Sequence, residues 1–246
     1  MTDSGLAAAA AREGERVARR GRIREVVFGA QDGLLSTLAL VTGVRGADAS
    51  RYAILVAGFA GALSGTISMA LGAYIAAKSQ REVFDVELEN ERRQLERRPH
   101  VEVVELADIF QAEGLDYDNA LKAARAIATN PETMLKTMAE KELGIPYEPP
   151  GSPSEDAVTM GAAFVVGASV PVLPYLLLTT TTGLIVSVVL TIGTLFVMGV
   201  VKARLAGTRQ LRSGAETAGL AALAAALAYL VGTALPNALG ISPPAG

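Results

Sequence analysis

The chain has 246 residues, of which half are apolar and 19% are charged, and its mean hydropathy is +0.35. This composition is typical of a polytopic membrane protein rather than a soluble domain. Cysteine is absent and histidine occurs once, at His100, which excludes disulfides, thiol catalysis and the usual Cys/His zinc site within one chain. Any metal site must therefore use carboxylates, thioethers, amides or backbone carbonyls.

Residues 1–24 form a polar, basic tail that lacks the apolar core and the small-residue cleavage site of a signal peptide. We interpret this segment as a cytosolic tail. Two forms remain open for it, a short amphipathic helix lying against the membrane and a solvated arm that only fixes orientation.

The first apolar segment, 26–44, carries an acidic residue in its interior, Asp32. A carboxylate at membrane depth costs on the order of 3 kcal/mol, so it normally faces a helix-bundle interior or a wet cavity. One interpretation is that Asp32 handles a cation or a proton. The alternative is a structural aspartate that hydrogen-bonds a neighbouring helix.

Five segments are apolar enough and long enough to cross a bilayer as helices, which predicts an all-α membrane protein with five spans. They lie at 26–44, 53–77, 157–178, 183–201 and 215–235. In the third segment, Pro171 and Pro174 indicate either a kink or an opened turn that lines an ion path. Gly58, Gly61 and Gly65 in the second segment favour close helix packing.

The basic residues are distributed unevenly between the two sides of the predicted membrane. The tail, residues 78–157 and the 202–212 loop together hold 20 of the 22 Lys and Arg residues, and only Arg45 and Arg51 fall on the opposite side. The positive-inside rule then predicts a cytosolic N-terminus and, with five spans, a C-terminus outside.

Residues 78–156 are predicted to form a cytosolic helical domain between spans two and three. The pattern predicts helices over 52–98, 101–112, 117–128 and 131–143, with Asp116 and Asn130 as N-caps, and a stiff linker over 145–153. The region from 78 to 157 holds 18 acidic against 10 basic residues. Such an acidic module indicates cation capture, while a merely solvated charged surface is the alternative. We divide the rest of the chain into a cytosolic N-terminal tail (1–24), spans one and two (25–77), spans three to five (157–235) and a C-terminal tail (236–246).

Three motifs in this chain resemble the vacuolar iron transporter family of iron and manganese transporters. They are Val-Val-Phe-Gly-Ala-Gln-Asp-Gly-Leu in the first span, Ser-Met-Ala-Leu-Gly-Ala-Tyr followed by Ser-Gln-Arg-Glu in the second, and the acidic insertion ending in Glu-Leu-Gly-Ile. The resemblance covers about 22–232. It implies a homodimer in the bilayer, with five spans per subunit, that exports Fe²⁺ or Mn²⁺ from the cytosol in exchange for protons.

The family motifs carry specific roles onto this chain. Asp32 and Met69 match the membrane pathway. The resemblance implies metal ligands at Glu91, Glu102, Glu105, Met138 and Glu142. By residue pattern alone, Met69 favours packing and the glutamates favour a solvated surface.

Three positions depart from the family pattern. Ala73 and Gln94 stand where acidic residues are common, and Ala139 stands where some relatives have a second methionine. The loss at Ala73 puts proton coupling or metal preference in doubt, and the loss at Gln94 weakens the cytosolic site. Glu216 favours a helix-stabilising role over a site role.

The departures keep a rival interpretation open, namely a membrane-anchored metal-binding or sensing protein that does not transport. We expect no enzyme activity, no organic cofactor and no nucleic-acid partner. The chain lacks a nucleotide-binding loop, which disfavours ATP drive, and its single histidine disfavours a ferroxidase with Glu-x-x-His motifs.

Overall fold

The structure is a computed structural model that describes residues 3–148 and 151–240, with the backbone alone described at 3–22 and 237. All regular structure in these ranges is α-helical. The eight helices are α1 (Asp3–Gly46), α2 (Arg51–Arg97), α3 (Pro99–Ala112), α4 (Tyr117–Ile127), α5 (Pro131–Lys141), α6 (Pro153–Leu177), α7 (Thr180–Ala206) and α8 (Gln210–Ala238).

Five of these helices are long and apolar enough to cross a membrane, as the hydropathy pattern predicted. The candidate spans are Ile23–Gly46, Arg51–Arg97, Pro153–Leu177, Thr180–Ala206 and Gln210–Pro236. The helix Arg51–Arg97 is longer than a bilayer requires, and its apolar part ends near Ala77. The residues of α2 after Ala77 are mostly polar or charged, and they continue the helix past its apolar part.

The chain forms two compact units. The first comprises Met1–Tyr74 and Pro153–Gly246, and the second comprises Ile75–Ser152. Helix α2 contributes its first half to the first unit and its second half to the second unit.

In the first unit, α1 and α6 cross so closely that only glycine fits at the contact. A Cβ atom on Gly33 would collide with the carbonyl oxygen of Phe164, and one on Gly167 would collide with the carbonyl oxygen of Ala30. Without a hydrophobic driving force between helices in lipid, such backbone proximity supplies the packing contacts.

Helix α7 turns a narrow stripe of buried residues toward its neighbours, spaced four apart: Gly183, Ser187, Thr191, Leu195, Gly199 and Ala203. The Ser187 hydroxyl donates a buried hydrogen bond of 2.7 Å to the carbonyl of Pro171. Helix α6 runs continuously through Pro171 and Pro174, so the prolines do not open a turn there. It also begins at Pro153, the last residue of the segment that we expected to be linker.

The second unit has its own apolar core among α3, α4 and α5. The buried members are Leu106, Ala107, Ala120, Ala124, Met134 and Met138. The two predicted N-caps are present. The Asp116 carboxylate accepts from the backbone N–H of Asn119 at 3.1 Å, and the Asn130 side chain accepts from that of Glu132 at 3.0 Å.

The tail is helical, as in one of the two forms left open for it, but it is not a separate short helix. Its backbone is helical from Asp3 and continuous with the first span. The amphipathic character considered for it depends on side chains that lie outside the described residues.

Candidate metal centre and membrane cavity

A cavity of about 190 Å³ in the first unit brings together the two residues assigned to the membrane pathway. Asp32 from α1 and Met69 from α2 both line it, and both are half-buried. On the α2 side, Gly61 and Gly65 let the side chain of Leu40 and the buried ring of Phe164 approach the helix closely, and these side chains form part of the wall. The cavity therefore presents one carboxylate and one thioether from two different helices.

Hydroxyl groups add to the polar lining of this cavity. They belong to Ser36, Thr37 and Ser68. The Ser36 hydroxyl donates to the backbone carbonyl of Asp32 at 2.6 Å, as serine often does within a helix. Among the described side chains, none donates a hydrogen bond to the Asp32 carboxylate or pairs with it. The alternative of an aspartate that serves to hydrogen-bond a neighbouring helix therefore has no contact to support it.

Sequence reasoning did not single out Thr37, Ser68 and Phe164 as lining residues. Ser68 had a signal, because it directly precedes Met69 in a quoted motif. Thr37 and Phe164 had none, because they reach the cavity only through the way α1, α2 and α6 pack.

In the second unit, three carboxylates from three parts of the chain converge. Glu91 on α2, Glu102 on α3 and Glu142 at the end of α5 each place an oxygen so that all three lie within 4.8 Å of one another. We call Glu91, Glu102 and Glu142 the carboxylate triad. Two oxygens bound to one divalent cation are separated by up to ~4–5 Å, since each lies at ~2.0–2.6 Å from the metal. The spacing of the triad thus fits a single divalent ion.

Local structure explains how each member of the triad is placed. Pro99 begins α3, which puts Glu102 in its first turn. Glu142 is the C-cap residue of α5, and its backbone N–H donates to the carbonyl of Met138 at 2.8 Å. Gly144 follows with a φ of +65°, a left-handed conformation that ends the helix at little cost because glycine has no Cβ.

Glu91 is the least accessible member of the triad. Its side chain is 1% exposed, and its Oε1 atom is buried without a hydrogen-bond partner in the described structure. A buried carboxylate oxygen without a partner is costly unless a proton or a cation reaches it. This orphan oxygen is the strongest structural indication that the triad holds a ligand.

The electrostatics of the triad reflect burial and mutual repulsion. Burial, followed by the charges of Glu142, Glu102 and Glu105, raises the pKa of Glu91 to about 7; this residue lies well beyond the apolar part of α2. Burial and Glu105 raise the pKa of Glu102, against a lowering effect of Arg98. Burial, Glu105 and Glu102 raise the pKa of Glu142. All three carboxylates therefore bind protons more readily than usual, and a divalent cation would relieve the same repulsion.

The other two predicted ligands, Glu105 and Met138, do not belong to the carboxylate triad. Glu105 is exposed one turn after Glu102 and acts on the triad through its charge. Met138 is fully buried in the apolar core with Leu106 and Met134. Its role as a sulfur ligand stays a prediction.

Two of the departures from the family pattern also have defined positions. The Gln94 amide donates to Glu91 Oε2 at 3.4 Å, so this residue contacts the triad directly. Ala73 is half-buried on α2.

The described fold is that of a multi-pass helical membrane protein. Its first unit, here called the membrane unit, contains a half-buried carboxylate. Its second unit, here called the inserted unit because its residues lie between the two segments of the first, contains the carboxylate triad. The family model described as the VIT family matches residues 23–233. The chain belongs to this family, which confirms the resemblance drawn from the motifs.

Several curated relatives share most of the chain. It is 36% identical to vacuolar iron transporter 1 of Arabidopsis thaliana over 208 residues, which cover 84% of this chain and 83% of the relative. It is also 36% identical to vacuolar iron transporter 2 of Oryza sativa, over 84% of this chain and 85% of the relative. The protein CCC1 of Saccharomyces cerevisiae is 28% identical, over 74% of this chain and 58% of the relative.

Proposed function

We propose that this protein exports Fe²⁺ or Mn²⁺ from the cytosol in exchange for protons. The observation that carries the proposal is the cavity in which the Asp32 carboxylate, with which no described side chain pairs, and the Met69 side chain face the same space. Relatives that match most of the chain are named vacuolar iron transporters, and that name supports iron as the cargo.

The chemistry of the cavity suits an exchanger. A carboxylate binds either a metal ion or a proton tightly, but not both at once, so occupancy by one favours release of the other. A thioether is a weak and soft ligand that accepts Fe²⁺ and disfavours Ca²⁺ and Mg²⁺. The hydroxyls of Thr37 and Ser68 would complete an oxygen-rich, labile coordination shell.

The inserted unit would capture metal on the cytosolic side. The charge distribution supports this orientation, because 20 of the 22 basic residues lie on the side assigned to the cytosol. The acidic composition of residues 78–157 attracts divalent cations, and the carboxylate triad offers them a binding site.

A second copy of the chain would pack along α2. This helix keeps a row of apolar side chains exposed along its apolar part: Tyr52, Val56, Phe59, Leu63, Ile67 and Leu71. Only 11% of its most apolar stretch is buried, the same share as in the span Gln210–Pro236. Because the chain has no cysteine, a Leu63→Cys variant carries a single thiol. We expect oxidation to cross-link two copies of this variant. We expect no cross-link in Val189→Cys, which is equally exposed but lies on α7.

The decisive experiment measures metal uptake into sealed proteoliposomes, with and without a pH gradient, for Fe²⁺, Mn²⁺, Co²⁺ and Zn²⁺. We expect uptake of Fe²⁺ and Mn²⁺ that the gradient accelerates and that Asp32→Asn abolishes. The matched control is Asp48→Asn, which changes an exposed aspartate outside the cavity and should transport normally.

The same experiment separates transport from the rival function of a membrane-anchored metal-binding protein. The rival predicts metal binding in detergent without uptake into vesicles. A wild type that binds but does not transport, or an Asp32→Asn variant that transports like wild type, would refute the proposal.

A further inference from the structure

The membrane cavity ends against a tightly packed apolar cluster. This cluster, here called the plug, consists of Val41, Ile54, Val172 and Tyr175, which come from α1, α2 and α6 and are at most 3% exposed. We call the side of the membrane unit where residues 47–50 join α1 to α2 the turn side.

The plug lies directly beyond the cavity in the direction of the turn side. Leu40 and Gly61 line the cavity, and Val41 follows Leu40 on α1. One turn before Gly61, a Cβ atom on Gly58 would lie 2.9 Å from Cγ2 of Val172 and 3.3 Å from Cγ1 of Val41. A side chain there would displace the plug, and because all four plug residues are at most 3% exposed, no water-filled path runs between them in this conformation.

A single arginine ties together the helices that form the plug. The Arg51 Nε donates to the carbonyl of Tyr175 at 2.5 Å, and its Nη2 donates to the carbonyl of Leu176. Arg51 is the first residue of α2, and α6 ends at Leu177. The guanidinium fork therefore joins the first turn of α2 to the last turn of α6, with the ring of Tyr175 held in the plug beside Gly183.

We propose that Arg51 is a positioning residue that keeps the cavity closed on the turn side. In a transporter of the kind proposed above, a release path that runs between α2 and α6 to that side opens only when these two helices separate at the plug. The two Arg51 hydrogen bonds span this separation and must break for it to occur. The inference rests on the proposed function only in calling the cavity an ion pathway.

Arginine near the end of a helix also satisfies unpaired carbonyls, so a purely structural role must be distinguished. That role predicts lower stability on removal of Arg51, with no change in which side reaches the cavity. A positioning role predicts a change in access from the turn side alone. Access must therefore be measured directly.

Because the chain contains no cysteine, an introduced cysteine is the only thiol that a reagent can label. A Leu40→Cys variant places one thiol on the cavity wall, and its reaction with a membrane-impermeant methanethiosulfonate reagent is followed from each side of sealed, oriented vesicles. We expect slow labelling from the turn side in the Leu40→Cys variant that retains Arg51. We expect Arg51→Ala to raise that rate by about tenfold, because hydrogen bonds to a charged group shift a two-state equilibrium by at least this factor.

Two further variants keep the test decisive. Arg51→Lys retains the charge but cannot donate through a fork to both carbonyls, so we expect an intermediate rate. If Arg51→Ala fails to insert, the Lys variant alone decides the outcome. Asp48→Asn is the matched control, since it breaks the 2.7 Å ion pair with Arg45 on the same side without touching α6. Ser50→Cys, exposed in the turn, reports that the reagent reaches this side.

Equal turn-side labelling in Arg51, Arg51→Lys and Arg51→Ala backgrounds would overturn the inference. So would an equal rise in the Asp48→Asn background. The labelling assay contains no metal, so failure of the transport assay leaves it unaffected. A silent transport assay would instead refute the proposed function while the closure by Arg51 could still be measured.

Discussion

The side-chain amide of Gln94 donates to Glu91 Oε2 at 3.4 Å, while the other oxygen of Glu91 is buried without a partner in the described structure. A neutral donor thus sits where an additional carboxylate would contact the triad. The contact satisfies one oxygen of Glu91 and leaves the other for a proton or a cation.

Replacing this neutral donor with an acid should strengthen metal binding. We expect Gln94→Glu to tighten Mn²⁺ binding at pH 8 by roughly tenfold, a modest effect because the position is exposed to solvent. Titration calorimetry of the full chain in detergent measures this change. Gln80→Glu adds the same charge on the same helix, about 21 Å from Gln94 at 1.5 Å per residue, and should leave the affinity unchanged. Equal gains in both variants would show a general charge effect rather than an added ligand.

Metal binding to the triad should weaken as the pH falls through 7. The pKa of Glu91 is raised to about 7 by burial and by its acidic neighbours, so at pH 6 most copies carry a proton that metal must displace. We expect the Kd for Mn²⁺ to be at least about tenfold higher at pH 6 than at pH 8, since one pH unit below the pKa corresponds to a tenfold competition. Glu91→Gln should bind more weakly at pH 8 and show a shallower pH dependence. A profile that is flat between pH 6 and 8 in the wild type would contradict this prediction.

The stability of the metal-free inserted unit should change with pH in the opposite sense. The folded-state pKa of Glu91 lies above its ordinary value of 4.5, so the folded state binds a proton more tightly than the unfolded state does. The resulting stabilisation is complete below pH 4.5 and is lost as the pH rises through 7. Hydrogen exchange in α3 should therefore be slower at pH 5 than at pH 8 after correction for the intrinsic exchange rate. Saturating Mn²⁺ at pH 8 should slow it again, and Glu91→Gln should reduce the difference.

Close packing of α1 on α6 should make Gly33 intolerant of any side chain. A Cβ atom there would collide with the carbonyl oxygen of Phe164 and lie 2.9 Å from the backbone nitrogen of Ala168. Since backbone atoms cannot rotate away, we expect Gly33→Ala to lower the melting temperature of the detergent-solubilised protein and to abolish uptake by displacing Asp32. Gly193→Ala is the matched control on α7, where a Cβ atom meets nothing within 4 Å. Alanine in a helix interior is favoured over glycine by ~0.5–1 kcal/mol, so this control should be neutral or slightly stabilising.

The ion pair between α5 and the end of α3 should support the triad indirectly. The Lys141 ammonium donates to both carboxylate oxygens of Glu113, at 2.6 and 2.8 Å. Lys141 directly precedes Glu142, a member of the triad. Both side chains are partly exposed, and such pairs contribute ~1 kcal/mol or less. We therefore expect Lys141→Ala to weaken Mn²⁺ binding by no more than about fivefold, whereas exposed Lys136→Ala should have no effect. Partial recovery in the double swap Lys141→Glu with Glu113→Lys would show that the pair acts by position; no recovery would contradict this.

The helical architecture could be predicted from the sequence because its signals are local. Apolar segments of about 20 residues, the N-caps at Asp116 and Asn130 and the Pro99 break between α2 and α3 each depend on a few neighbouring residues. The sequence also predicted that Asp32 and Met69 line one site, but only through the family motifs. By residue pattern alone Met69 favoured packing, because a methionine in an apolar helix carries no directional information.

The convergence of Glu91, Glu102 and Glu142 was decided by tertiary structure. Glu91 lies in a charged stretch where Glu89 is half-exposed and Arg92 is exposed. Its spacing from Leu88 and Leu95 places it on the apolar face of the helix, but only the fold shows that it is 1% exposed and faces Glu102 and Glu142. Met138 shows the opposite case, since the family resemblance implied a metal ligand there while the fold buries it in an apolar core.

The sequence by itself determined where the helices form, which segments can lie in lipid and how the charge divides between them, because hydropathy and helix propensity act over a turn or two of chain. Only the tertiary structure decided which side chains share a site. The bonds from Arg51 to the end of α6 join residues 124 and 125 positions apart, and the cavity is walled by three helices. Such contacts depend on how helices cross, and that geometry is set by backbone approach at glycines such as Gly33 and Gly167, which no local pattern encodes.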